Sequence, residues 1–444
     1  MRDSTFGIYK SRVYRRPNKD GLRWSTVSSN RGDVVKFFSR NRSAIIMGLA
    51  ALVIAGTADL FAGMLLNSME EYLLLIPGMM VLVYSAIGMR GNIFGAMGSR
   101  IGTSMNIGTF EMSLKRGTVL RANMDSALAL TLVMSVAMGI ATWAVALAFF
   151  DGGANLLWPL IFISTIGGIL AGLVVLCFNV LIAWIGNRRE WDVDNITAPL
   201  IAAMGDIVTM PMIFAATWAY LEIDKHDFSD LAMMLMSLAA IAAMIAYVAS
   251  VVFRRYARRD FAGEARRILV QSLPVLMFCL MFEIGAGMVI QDEQDRFVDY
   301  AVLMVMMPAF LNQGNALSGM LTSRLSSRIH LGTLKPRRTP QGEAYENFAV
   351  ITVCALLTFV YIGAVSFAAA AASGDAGTSL AVTMASIVGA GAMATLVICV
   401  LSYYVAIATT RFGLDPDDHS IPITSSVMDL LGAVILVTVI GVLL

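Results

Sequence analysis

The chain has 444 residues, a net charge of +1, 58% hydrophobic residues and only 14% charged ones, which gives a mean hydropathy of +0.74. Soluble domains contain roughly 45–50% apolar residues, so this composition excludes an ordinary water-soluble protein and predicts a surface solvated mostly by lipid. The sequence contains no HExxH, GxSxG, P-loop or GxGxxG pattern, which argues against metalloprotease, hydrolase, nucleotide-driven and dinucleotide-binding functions. We therefore expect no enzymatic activity.

The first 42 residues are polar and include eleven Lys and Arg. This predicts a basic cytoplasmic tail rather than a secretory signal, because a signal needs an apolar core. Beyond the tail, eleven stretches are long and apolar enough for a transmembrane helix, which needs about 20 predominantly apolar residues. They cover residues 44–66, 72–99, 123–149, 157–186, 196–220, 230–252, 268–290, 300–323, 347–372, 378–409 and 420–444.

The loops between these stretches alternate in charge. Those after the odd-numbered stretches are acidic and read NSMEEY, DGGANL, LEIDKHDFSD, QDEQDRFVD and SGDAG, whereas those after the even-numbered stretches carry basic clusters such as Lys115-Arg116 and Arg337-Arg338. Lys and Arg accumulate on the cytoplasmic side of a membrane. The pattern therefore predicts a multi-pass protein of the cell membrane with a cytoplasmic amino terminus and an extracellular carboxyl terminus.

An internal repeat divides the chain. Gly91-Asn92 recurs as Gly314-Asn315 and Asp206 recurs as Asp429, both at an offset of 223 residues, while Asp59 matches Glu283 at an offset of 224. The stretch 230–252 has no counterpart, and we expect it to be a connector that keeps the two repeats parallel, related by an axis along the membrane normal. The predicted fold is an all-α polytopic membrane protein of about 11 transmembrane helices, with five-helix repeats at 43–222 and 263–444 joined by a connector helix and loop at 223–262.

Two pairs of carboxylates recur at equivalent positions. Asp206 and Asp429 lie about nine or ten residues into their stretches, which at 1.5 Å per residue places both near the bilayer midplane. Carboxylates at that depth are costly and tend to mark ion pathways, although a protonated structural Asp is the alternative. Asp59 and Glu283 lie in the outer halves of their stretches and are candidates for an outer cation site or for acids that reach interfacial water.

Other polar residues accompany these acids in both halves. Asn92 and Asn315 could supply carbonyl ligands or bridge helices, and Asp194 and Asp417 precede the fifth and eleventh stretches, where they could attract ions or cap a helix. Arg100 and Arg324 follow near the basic loops and are expected to reach towards the membrane surface. The sequence therefore predicts these candidate metal ligands: Asp206, Asp429, Asn92, Asn315, Asp59, Glu283, Asp194 and Asp417.

The available ligands indicate the class of ion. All four cysteines lie in apolar runs without a CxxC pattern and the three histidines are scattered, so zinc and copper are not indicated. Hard oxygen ligands suit Mg²⁺, Mn²⁺ or Ca²⁺. Mg²⁺ keeps several waters and usually takes only one or two protein carboxylates, the number that Asp206 and Asp429 supply, but the residues alone leave the choice among the three ions open.

Four segments together resemble the MgtE magnesium channels and, more closely in their fused layout, the solute carrier 41 family. They read GMRGNIFGAMGSRIGTSMNIGT, DVDNITAPLIAAMGD, PAFLNQGNALSGMLTSRLSSRIHLGT and DPDDHSIPITSSVMD. The resemblance implies five-helix units around a central pore, with Asp206 and Asp429 coordinating hydrated Mg²⁺. Ser85 stands where the second half has Pro308, and the first half has DVD where the second has DPD, which suggests that the halves contribute unequally.

The leading hypothesis is transport of a divalent cation, Mg²⁺, through a pore between the two repeats. Its partners would be the cation and membrane lipid but no nucleic acid, and the chain would work as a pseudo-dimeric monomer, with a homodimer left open. Two alternatives remain: an exchanger that couples the cation to H⁺ or Na⁺, and a non-transporting membrane scaffold or receptor whose acids are structural.

Overall fold

The computed structural model describes residues 31–115, 117–150, 153–189, 193–226, 229–253, 263–372, 377–412 and 419–443, which are almost entirely helical and include no β-strand. The helices are α1 (Arg31–Ser68), α2 (Glu70–Leu75), α3 (Met79–Ile107), α4 (Val119–Phe149), α5 (Leu157–Arg189), α6 (Val193–Asp224), α7 (Ser229–Phe253), α8 (Glu264–Asp292), α9 (Gln294–Asp299), α10 (Ala301–His330), α11 (Gly342–Ala372), α12 (Leu380–Phe412) and α13 (Ile421–Leu443).

Residues Met1–Ser43 and Ala44–Leu444 form two compact units. The first unit is described only as the opening turns of α1. The second contains every other helix and all of the contacts discussed below.

Ten helices of the described chain are long and apolar enough to cross a membrane. This confirms the prediction of an all-α polytopic membrane protein. The remaining long helix, α10, has 30 residues, but Asn312, Gln313 and Asn315 lower its hydropathy. The count of eleven spans and the proposed repeat boundaries therefore stay predictions.

Local sequence explains where the helices at the basic loops begin and end. The Thr118 side chain caps α4 by accepting a hydrogen bond from the backbone N–H of Arg121, which satisfies one of the free donors of the first turn. At the end of α3, Gly108 adopts a left-handed conformation with φ 78° and donates its N–H to the last turn, a conformation that glycine adopts without steric cost. We call this end of the bundle, which carries Lys115, Lys335 and Arg337, the basic end.

The helices differ in how deeply they lie in the bundle. In α3, 83% of the most apolar window is buried, whereas the corresponding value for α7 is 11%. Apolar residues all around α7 are therefore available to lipid, as expected for a helix at the periphery. In contrast, α3 packs on α8 and α13 of the second half as well as on α4, α5 and α6 of its own half.

Glycines let the first helix of each half approach the second helix of the other half. A Cβ atom at Gly63 of α1 would lie 2.1 Å from the carbonyl oxygen of Val305 in α10, and a Cβ at Gly287 of α8 would lie 2.7 Å from the Cα of Val81 in α3. Such small residues allow close backbone contact between membrane helices. Both crossings bring acid-bearing helices to the boundary between the halves.

Candidate functional site

Four carboxyl groups meet at this boundary. Asp59 of α1, Asp206 of α6, Glu283 of α8 and Asp429 of α13 have exposed fractions of 0%, 3%, 1% and 6%. The Asp59 carboxyl lies close to that of Asp206, and the Glu283 carboxyl lies close to that of Asp429. Two carboxyl groups this close are stable when they share a proton or when a cation lies between them.

The two carboxyl pairs are also close to each other, since Asp206 interacts electrostatically with Asp59, Asp429 and Glu283. The sequence placed Asp59 and Glu283 at a separate, outer level of the membrane. In the structure they lie close to Asp206 and Asp429, because the helix crossings at Gly63 and Gly287 bring α1 and α8 against the other half. We refer to these four residues as the carboxylate cluster.

Amide side chains orient the cluster from both halves. In the second half, Asn315 Nδ2 donates to Asp429 Oδ1 at 2.8 Å, and Asn312 Nδ2 donates across the boundary to Asp59 Oδ1 at 2.8 Å. Each of these bonds fixes one carboxylate oxygen. The opposite oxygens, Asp59 Oδ2 and Asp429 Oδ2, are buried without a hydrogen-bond partner.

Asn92 of the first half bonds across the boundary to Glu283 of the second half, whereas its counterpart Asn315 bonds to Asp429 of its own half. Asn92 Nδ2 donates to Glu283 Oε1 at 3.2 Å and to Ser426 Oγ at 2.8 Å, while Ser426 Oγ donates to Glu283 Oε1 at 2.7 Å. This triangle joins α3, α8 and α13. The sequence predicted that Asn92 and Asn315 would shape an ion site, and the structure brings both to the carboxylates.

Gly88 leaves room for the longer acid. A Cβ atom there would lie 2.0 Å from Glu283 Oε2, closer than real Cβ contacts. The two halves thus accommodate the acid of the opposite half differently. The longer Glu283 packs on the backbone of α3 at Gly88, whereas the shorter Asp59 accepts a hydrogen bond from the Asn312 side chain of α10. Both α3 and α10 remain continuous helices through Gly91 and Gly314.

Two predicted ligands are not joined to the cluster by any described contact. Asp194 lies in the first turn of α6, and its side chain is outside the described set. Asp417 lies outside the described residues altogether. Their suggested roles in ion attraction or helix capping therefore remain predictions.

Sequence reasoning missed Asn312, Ser426 and Gly88. The first two could have been found by spacing, because Asn312 precedes Asn315 by three residues and Ser426 precedes Asp429 by three, which places each pair on one helix face. Gly88 carried no such signal, since its importance depends on a residue of another helix.

Arg90 is a further buried charge that the loop pattern did not reveal. It is 2% exposed, and its Nε and Nη2 atoms have no hydrogen-bond partner. A Cβ at Gly168 of α5 would lie 3.3 Å from Arg90 Nη2 and 2.1 Å from Ser135 Oγ. Because Arg90 is two residues from Asn92, it lies on the opposite side of α3 from that residue, inside the first half.

The cluster and its amides offer oxygen acceptors that have no hydrogen-bond partner. Asp59 Oδ2, Asp429 Oδ2 and Asn315 Oδ1 are all buried acceptors without donors, and the described chain places no Lys or Arg in ion-pair contact with any of the four acids. However, no group of three or more Asp, Glu, His or Cys residues in the described ranges is arranged to hold a metal ion. The arrangement offers hard oxygens without a closed coordination shell.

Comparison with known proteins gives the family of this chain. The model of the MgtE divalent cation transporter family matches residues 83–216 and 307–439, which together make up more than half of the sequence. The chain belongs to the MgtE family of divalent cation transporters. The first matched segment contains Asn92 and Asp206 and the second contains Asn315 and Asp429, so the family match includes two of the four acids of the carboxylate cluster and both of these amides.

Members of solute carrier family 41 align with most of this MgtE-family chain. Solute carrier family 41 member 3 of Rattus norvegicus is 21% identical over 411 residues, covering 87% of this chain and 84% of the relative. Solute carrier family 41 member 2 of Mus musculus is 23% identical over 439 residues, covering 92% and 73%. A crystal structure of the eukaryotic MATE transporter AtDTX14 aligns with 90% of this chain and 95% of its own at 11% identity, with a TM-score of 0.33, and has no bearing on the site.

Proposed function

We propose that this chain transports Mg²⁺ through a pathway between its two halves and that the carboxylate cluster binds the hydrated ion. The observation that carries the proposal is the buried meeting of Asp59, Asp206, Glu283 and Asp429 without a basic partner, with unpartnered oxygens on Asp59 and Asp429. Buried carboxylates without a counter-ion are unfavourable. A divalent cation would neutralise them and supply the missing partner of each free oxygen.

Mg²⁺ fits this arrangement better than a fully dehydrated ion would. It dehydrates reluctantly and is usually bound through one or two carboxylates with its remaining waters in place. An incomplete protein shell of oxygen ligands supports this mode, with Asn92 and Asn315 holding the carboxylates in position. Asp206 and Asp429 are assigned as the principal ligands, and Asp59 and Glu283 as their partners.

The charge distribution supports an orientation for transport. The basic end would face the cytoplasm of the cell, because Lys and Arg are retained on that side. The ends of α6 and α8, which carry Glu222 and Glu293, would then face outward and attract cations towards the pathway. The chain would need no second copy, since each half supplies one midplane Asp.

The test is Mg²⁺ uptake into proteoliposomes that contain the wild type or the Asp206→Asn/Asp429→Asn variant. We expect the variant to lose uptake, because amides keep the shape of the carboxyls but cannot neutralise the ion. Asp125→Asn is the matched control, since Asp125 is also buried but pairs with Arg121 at 3.0 Å and lies outside the cluster. Uptake at the native rate by the double variant would refute the proposed ligands.

The same vesicles can identify the ion and the energy source. Competition by Mn²⁺ and Ca²⁺ measures selectivity, and imposed H⁺ or Na⁺ gradients distinguish a coupled exchanger from a channel. Absence of flux for all three ions in folded wild-type protein would favour a non-transporting role instead.

A further inference from the structure

A narrow cavity continues from the carboxylate cluster towards the basic end. It is lined by Asn92, Ile93, Ala96, Arg100, Leu130, Ser272, Leu276 and Pro422. Asn92, Ala96 and Arg100 are four residues apart and so follow one face of α3. Asn92 contacts Glu283 of the cluster, and Arg100 lies eight residues, or about 12 Å, closer to the basic end.

The cavity is too small for a hydrated cation. The space open to the centre of a water molecule is about 10 Å³, close to the minimum for a single ordered water. Its wall is mostly apolar but includes three polar side chains, Asn92, Arg100 and Ser272, and Ser272 Oγ is a buried atom without a hydrogen-bond partner. A narrow passage with a few polar groups next to a cation cluster is what a closed half-pathway would present.

Arg100 is the charged member among the described residues that line this cavity. Its Nε donates to Asn123 Oδ1 of α4 at 2.8 Å, which holds the guanidinium at the wall. The second half has the same contact, where Arg324 Nε donates to Asn347 Oδ1 of α11 at 3.0 Å. Arg324, however, does not line this cavity.

We propose that the cation leaves the cluster through this cavity, beside the first half, and that Arg100 is the charge barrier that limits its passage. This inference rests on the proposed function and adds a route and a residue that controls it. The two equivalent arginines would therefore differ in role although their hydrogen bonds are alike. Arg100 acts on the ion through its charge, and Arg324 only joins α10 to α11.

The test compares Mg²⁺ flux in proteoliposomes for the wild type, Arg100→Gln, Arg100→Lys and Arg324→Gln. Removing one positive charge about 8 Å from a divalent ion in a water-like medium should raise the rate roughly fivefold. Arg100→Lys keeps the positive charge, so this variant should transport Mg²⁺ at the native rate. Arg324→Gln removes an equivalent hydrogen bond and should leave the rate unchanged.

The outcomes separate this inference from the function on which it rests. Wild-type flux with no change in Arg100→Gln, or with equal changes in Arg100→Gln and Arg324→Gln, would overturn the barrier while leaving transport intact. Failure of Arg100→Lys to restore the native rate would indicate a role in shape rather than charge and would also overturn it. Absence of wild-type flux would overturn the proposed function itself.

A second variant covers the case in which Arg100→Gln does not fold. Ser272→Cys places a thiol on the opposite wall of the cavity, where it can be modified by a cationic or an anionic methanethiosulfonate reagent, with the treated wild type as control for the native cysteines. We expect the cationic adduct to slow Mg²⁺ flux more than the anionic adduct. Equal slowing by both adducts would overturn the proposed route, and so would a lack of labelling of Ser272→Cys during Mg²⁺ flux, when the route must be open.

Discussion

Gly88→Ala probes the close approach that places Glu283 against α3. A Cβ atom at this position would lie 2.0 Å from Glu283 Oε2 and 2.3 Å from its Cδ, so the carboxylate must move. The same carboxylate accepts hydrogen bonds from Asn92 at 3.2 Å and from Ser426 at 2.7 Å. A displacement of Glu283 therefore weakens the contacts that join α3, α8 and α13.

The magnitude follows from three contributions. Overpacking a buried site costs about 1–3 kcal/mol, and weakening a hydrogen bond to a carboxylate costs roughly 1.5 kcal/mol. Replacing Gly by Ala within a helix returns about 0.5–1 kcal/mol. The expected net loss in the free energy of unfolding is about 2–4 kcal/mol.

Gly91→Ala is the matched control in the same helix. Nothing lies within 4 Å of a Cβ atom there, so this variant should be as stable as the wild type or more stable by about 0.5–1 kcal/mol. Unfolding in mixed micelles, followed by tryptophan fluorescence, measures both. Equal stability of Gly88→Ala and Gly91→Ala would refute the close approach.

The double variant Gly88→Ala/Glu283→Asp tests the direction of the effect. Shortening the acid by one methylene withdraws its oxygens from the new Cβ, and we expect part of the lost stability to return. If the double variant is less stable than the sum of the single changes predicts, the clash is not between these two residues.

Three other substitutions probe separate contacts by the same unfolding measurement. Asn312→Ala removes the donor to Asp59 Oδ1 and should cost about 1–3 kcal/mol; an unchanged stability would show that this bond contributes nothing. Arg90→Gln introduces the residue found as Gln313 in the second half and should leave stability equal or higher, because it removes a buried charge with unpartnered donors; a large loss would reveal an anionic partner. Gly63→Ala drives a Cβ to within 2.1 Å of a backbone oxygen, which cannot rotate away, and should cost about 3 kcal/mol; native stability would show that α1 and α10 can separate without loss.

The transmembrane helices and the candidate acids could be predicted from the sequence because both are recognised from local composition. A run of about 20 apolar residues is long enough to cross a bilayer and too apolar to face water, and a carboxylate within such a run is costly and tends to mark a functional site. Asp206 and Asp429 satisfied that criterion and recurred at the same offset as Gly91-Asn92 and Gly314-Asn315. The candidate residues therefore emerged before any contact between helices was known.

The tertiary structure decided which of these residues meet. Depth along a helix is set by sequence position, but the partner of each helix is set by close approaches such as Gly63 to Val305, which join residues far apart in the chain. Those crossings bring Asp59 and Glu283 to Asp206 and Asp429 and bring Asn312 to Asp59. The sequence by itself determined a helical membrane protein with duplicated buried acids. Only the packing of the helices decided that four of those acids form one cluster. Packing depends on the shapes of both helix surfaces that meet, whereas the periodicity of a sequence describes only one helix at a time.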